Sequence, residues 1–179
     1  MKLFLGIDPG KSPSICSLDI EGNIKTLVLL KDKGDFPHYE YEEFVMDINM
    51  EPYAYIKMVS CELPHSVFGA SAKANFQFGL SVGACLQGVS MFGDELITPS
   101  PKQWQKEVLI NEDIVKNDKG KKDTKSTALK AAKRILGIRW EDKTFLPTKR
   151  SRVVNHNMVD AFLIAEYARK VYLDGREVE

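Results

Sequence analysis

The chain has 179 residues, of which 44% are hydrophobic and 28% charged, with a formal net charge of zero. That length supports one domain, 1–179, with a sizeable core, and the composition is ordinary for a soluble globular protein. No run of 18 or more apolar residues occurs and the start has no secretory pattern, so a cytoplasmic protein with no membrane span is expected.

The charge is unevenly spread. Residues 1–101 carry 7 Lys+Arg against 13 Asp+Glu, and residues 102–179 carry 18 against 12. Such asymmetry can hold acids in one place and a basic surface in another. Cys16, Cys61 and Cys85 form no CxxC pair and no zinc-like cluster, and read as reduced core thiols.

Leu3-Phe4-Leu5-Gly6-Ile7 reads as a buried strand ending on the turn Asp8-Pro9-Gly10. Ile15–Ile20 and Ile24–Leu30 are two further strand-like runs, and Glu21-Gly22-Asn23 between them signals a hairpin. Three antiparallel strands therefore open the chain. A weak helical pattern covers Tyr39–Asn49. Tyr53–Cys61 reads as a strand that delivers Glu62 at its end, followed by a loop containing Phe68.

Ala72–Phe92 is a long helix candidate. Gly79 and Gly83, and Ala84 and Gly88, stand four apart and so share faces that another backbone can approach closely, either the sheet or a second subunit. Glu95–Thr98 is a short strand. Ser100-Pro101-Lys102-Gln103 starts a helix, with Ser as cap and Pro at the first position. Asn111–Asp123 is polar and lysine-rich and is expected to be a mobile loop. A helix over Thr124–Leu136 is ended by Gly137, and Asn155 caps a last helix running to about Leu173. Strands followed by crossover helices imply an α/β fold with a mixed five-stranded sheet flanked by helices.

Asp8 and Glu62 each end a buried strand, where mixed sheets place their sites. Asp160 lies in the apolar run Met158-Val159-Asp160-Ala161-Phe162-Leu163, where an unpaired acid is costly. Asn157 and His156, three and four positions earlier, share its helical face. Individually Asp8 could cap a turn, Glu62 pair with a lysine and Asp160 bond a helix N-terminus. Together, three carboxylates at one sheet edge would repel each other unless a hard divalent cation, Mg2+ or Mn2+, lay between them. Two such ions about 4 Å apart can drive phosphodiester hydrolysis.

Gly6-Ile7-Asp8-Pro9-Gly10, Glu62 after a strand, and His156-Asn157-Met158-Val159-Asp160-Ala161 resemble the RuvC-type Holliday-junction resolvases over about residues 1–172. The resemblance implies a ribonuclease-H-like fold, a homodimer, and paired symmetric nicks in four-way or branched DNA. It also implies two Mg2+ or Mn2+ ions per site, held by four side chains. Asp8, Glu62 and Asp160 match three of these. The fourth position, usually Asp or His, is Asn157, with His156 as the other candidate; both join the expected catalytic set. Lys102, Lys106, Lys121, Lys122 and Lys125 would bind DNA phosphates, with Lys106 and Lys125 similar to the family's lysines near the cleaved strand, and Phe68 would either wedge between bases or be a partly buried loop aromatic. Trp104 reads as core.

Three other readings compete. An actin-like sugar kinase or ATPase shares the opening motif but needs two lobes, for which the chain is too short. A junction-binding protein without nuclease activity draws on the replaced fourth acid. A related nuclease would cut hybrids or flaps.

Overall fold

The computed structural model describes residues 1–9, 12–30, 54–63, 71–90 and 93–175. The helix expected over Tyr39–Asn49, and Phe68, lie outside them. Five strands form one sheet: β1 (Lys2–Asp8), β2 (Ser14–Leu18), β3 (Ile24–Leu29), β4 (Tyr55–Cys61) and β5 (Glu95–Ile97), in the order β3-β2-β1-β4-β5. The first three pair antiparallel, and β1 with β4 and β4 with β5 pair parallel. The expected mixed sheet is therefore present. Gly22, at φ +79°, supplies the left-handed turn between β2 and β3.

Strand alternation divides the core into two layers. Leu3, Leu5 and Ile7 join Ile15, Val59 and Cys61 on one face, packed against Cys85 and Val89 of helix α1 (Ala72–Val89). Phe4, Cys16, Leu18 and Met58 join the other face. That face is covered by α2 (Pro101–Val108), α3 (Thr124–Leu136) and α4 (His156–Leu173). All three cysteines are buried and unbridged, with the Cys61 and Cys85 sulfurs 3.5 Å apart.

The last helix is the centre of this second layer. The Asn155 side chain caps it by accepting the Met158 N–H at 3.1 Å. Val159, Ala161, Phe162, Leu163, Ile164 and Ala165 are all fully buried. At Gly6 the strand and helix backbones nearly touch: a Cβ there would overlap the backbone of Ala161 and Ala165. Glycine on β1 and alanines on α4 thus set how closely the helix lies on the sheet, and with it the position of Asp160.

Two expectations change. Helix α1 ends at Val89 with Ser90 as its C-cap, short of the expected Phe92. The stretch expected to be a mobile loop is hydrogen-bonded throughout its middle. A 3-10 turn covers Asn111–Asp113, and Lys116 bridges Lys122. Asn117 closes the turn by accepting the Lys119 and Lys121 N–H groups on its side chain at 3.0 and 3.1 Å. The side-chain amide does the work of a backbone turn, which a count of lysines does not reveal.

Two glycines of α1, Gly79 and Gly83, do not serve the sheet, whereas Gly88 is buried. A Cβ added at Gly79 or Gly83 would meet nothing within 4 Å, and Phe76 on the same helix is 64% exposed.

Candidate functional site

Parallel pairing brings two acids together. Ile7 of β1 lies opposite Cys61 of β4, and the Glu62 N–H donates to the Ile7 carbonyl at 3.1 Å. The next residue on β1, Asp8, therefore leaves the sheet beside Glu62. Alternation puts both on the face of Phe4 and Met58, beneath α4, where the Gly6 contact fixes Asp160. Glu62 and Asp160 line one open cleft of about 190 Å³ with Trp104, Gln105, Lys122 and Lys125.

Burial raises all three carboxylates, neighbouring acids raise Asp8 and Asp160 further, and the protein relieves this only in part. Burial, then the charges of Asp160 and Glu62, push Asp8 well above the usual carboxylate range. Burial and the Glu62 charge push Asp160 up to about 7, with Lys125 partly opposing them. Burial raises Glu62, and a hydrogen bond from Trp104 works against it. Among the described residues, neither Asp8 nor Asp160 has a hydrogen-bond or ion-pair partner on its side chain.

The donor chemistry fits a hard divalent cation: carboxylate oxygens, with negative charge that Lys125 and Trp104 offset only in part. Orphaned hydroxyls sit beside the acids. Ser14, opposite Asp8 on β2, and Ser60, opposite Gly6 on β4, are both fully buried, and neither hydroxyl has a hydrogen-bond partner. Buried polar groups of this kind call for a partner such as water or an ion. Among the described residues, no three His, Cys, Asp or Glu side chains stand grouped as a preformed cage.

The two candidates for a fourth role part company. The Asn157 side-chain nitrogen donates to the Ser12 carbonyl at 2.8 Å, which ties α4 to the loop after β1. His156 lies instead by the start of α3. Burial and Lys125 lower its pKa, and Asp123 partly opposes them. Its Nδ1 is buried without a hydrogen-bond partner.

The lysines also divide. Lys102, Lys106, Lys121, Lys122 and Lys125 are all exposed, but only Lys122 and Lys125 line the cleft. Trp104 is buried as expected of core, yet its indole N–H donates to Glu62 Oε2 at 2.5 Å. No local pattern announces that bond, because its two ends are 42 residues apart and meet only when α2 docks on the sheet.

No protein-family model matches the chain, and no curated protein matches its sequence. Solved structures do. The structure of Thermus thermophilus RuvC in complex with a Holliday junction substrate superposes at a TM-score of 0.62 with 17% sequence identity. The match covers 98% of this chain and 97% of that one. A second Thermus thermophilus RuvC structure superposes at 0.60 with 18% identity, over 97% and 96% of the two chains. The chain therefore has the ribonuclease-H-like fold of the RuvC structures over nearly its whole length.

Proposed function

We propose that this chain is a metal-dependent endonuclease that resolves Holliday junctions by paired symmetric nicks. The observation that carries the reading is the set of three carboxylates, Asp8, Glu62 and Asp160, at the β1–β4 edge under α4, all raised by burial, with Asp8 and Asp160 raised further by neighbouring acids. The fold is that of a protein solved on a Holliday junction, which supports the choice of substrate. Asp8, Glu62 and Asp160 would hold Mg2+ or Mn2+, two ions per site, with Asn157 as the fourth ligand through its carbonyl oxygen. Bound there, the ions would activate the attacking water and stabilise the leaving oxygen.

The chain's own residues do the rest. Lys122 and Lys125, on the cleft wall, hold the phosphate being cut. Lys102, Lys106 and Lys121 contact backbone further out, and lysine charges do so without reading sequence. The charged groups that act on His156 are Lys125 and Asp123 and not the three acids, which makes Asn157 the better fourth candidate. A homodimer would put one site on each of two symmetric strands. The face of α1 that carries Phe76, Gly79 and Gly83 is apolar and open enough to be its interface.

A junction binder without nuclease activity is the second reading, favoured by an uncharged Asn157 already engaged with Ser12. One assay separates these. Four-way, flap and RNA:DNA hybrid substrates are incubated in parallel with Mg2+ or Mn2+. Paired nicks confined to the four-way junction support resolution. Cutting of flaps or hybrids alone selects a different nuclease, and binding without nicks selects the second reading.

A further inference from the structure

The best-braced side chain in the cleft is one that carries no charge. Trp104 is 2% exposed, and its indole N–H is bonded to Glu62 Oε2 at 2.5 Å. Both residues line the cleft that contains Asp160. A buried indole needs an acceptor, but a backbone carbonyl would serve that need. Here the acceptor is one oxygen of an acid that has no other side-chain hydrogen bond among the described residues.

The helix that presents Trp104 is short but fixed at both ends. At its start Gln103 Oε1 accepts the Ser100 N–H at 2.7 Å. At its end Lys170 Nζ donates to the Glu107 carbonyl at 2.6 Å, and Arg134 Nη2 to the Val108 carbonyl at 2.9 Å. The donor therefore stays put while Glu62, with three side-chain torsions, would otherwise wander. An indole N–H donates and never accepts, and it carries no titrating charge. It can hold one carboxylate oxygen and leave the other to face the cleft.

We infer that Trp104 is a positioning residue for the ion site: it orders Glu62 before a divalent cation arrives, so that one carboxylate oxygen is presented to the ion. The inference rests on the reading of Glu62 as an ion-binding acid. Partners that orient a metal ligand in this way are typically worth about 10- to 100-fold in metal affinity or activity.

The test needs no substrate. The full chain has two tryptophans, and a Trp140→Phe protein assigns their two indole 1H–15N signals. Trp140 donates only a long 3.4 Å bond to Asp142, so the Trp104 signal should lie downfield of it. Titrating Mg2+ should shift the Trp104 signal along a saturable curve, and Glu62→Gln should flatten that curve. Trp104→Phe should raise the Mg2+ dissociation constant, measured by calorimetry, about tenfold. Its nicking rate should return towards the parent's at high Mg2+. Should that variant fold poorly, the indole titration on the parent still decides. A Trp104 signal that stays still while Mg2+ saturates the protein overturns the inference. So does a folded Trp104→Phe protein with the parent's Mg2+ affinity, or a parent that binds no Mg2+ at all. A protein that behaves as expected in these titrations yet cuts no branched DNA leaves the inference standing and removes the nuclease reading. One that cuts junctions with a metal requirement insensitive to Trp104 does the reverse.

Discussion

Two buried sets of acids in this molecule are treated in opposite ways. Asp113, 1% exposed, sits where α2 meets α3. Burial alone would raise its pKa, but Arg134 donates from both Nε and Nη2, at 3.0 and 2.8 Å, and the Ile110 N–H adds a third bond. The balance holds Asp113 below the usual range. Asp8 and Asp160, both half-buried, have other carboxylates as neighbours, and both are pushed up. The fold can neutralise a buried acid when that acid is structural. Leaving acids raised together at one sheet edge is a cost, and groups with such shifts are candidates for a functional site.

The pH dependence of stability should separate the two sets. Asp160 keeps its proton in the folded chain up to about 7, whereas the unfolded chain releases it near the ordinary value of 3.8. Between those values the folded state binds more protons, so metal-free stability falls as pH rises from about 4 to about 7 and is flat beyond. From Asp160 alone the loss is up to about 4 kcal/mol, and Asp8 adds to it in the same direction. Denaturant melts in chelator at pH 5 and pH 8 measure this. Asp160→Asn should remove part of the difference and stabilise the metal-free protein at pH 8. Equal stability of parent and variant at pH 8 would mean that Asp160 carries no strain.

Arg134→Ala should do the opposite. It leaves Asp113 buried without its cation and should cost about 3 kcal/mol, at neutral pH and whether or not Mg2+ is present. Mg2+ should stabilise the parent at pH 8, so the two regions should also differ in their response to metal. A small effect of Arg134→Ala in denaturant melts would erase the contrast between them.

The smallest effect concerns the basic rim. Lys121→Ala combined with Lys122→Ala should weaken junction binding similarly for all sequences. It should also flatten the dependence of log affinity on log salt by roughly one unit per lost contact. Binding isotherms across a salt series check this, and an unchanged slope would make these lysines mere solvated charge.

Much of the architecture is legible in the sequence, since it rests on local signals. The alternating apolar runs give the strands, and Glu21-Gly22-Asn23 gives the first hairpin. Ser100 with Gln103, Asn155 and Gly137 mark helix ends. The three acids can be singled out because each breaks an apolar pattern at the end of a strand or inside a helix. What is not legible depends on tertiary placement. Trp104 looks like any core aromatic until α2 lays its N–H on Glu62. Asn157 and His156 share a face in sequence terms, yet one turns to Ser12 and the other to the start of α3. The order of the lysine-rich stretch comes from backbone hydrogen bonds between its ends together with the Asn117 side chain. Gly79 and Gly83 signal close approach without saying to what, and only their open surroundings remove the sheet as their partner.

The most direct test of the whole account is a cleavage time course on an end-labelled four-way junction, comparing the parent with Asp8→Asn at rising Mg2+. The account predicts symmetric, Mg2+-dependent nicks by the parent. It predicts that Asp8→Asn still binds the junction but cuts it slower by on the order of a thousandfold, about 4 kcal/mol of lost transition-state stabilisation. Nicking by Asp8→Asn near the parent's rate, or an intact junction after incubation of the parent with either metal, would contradict it.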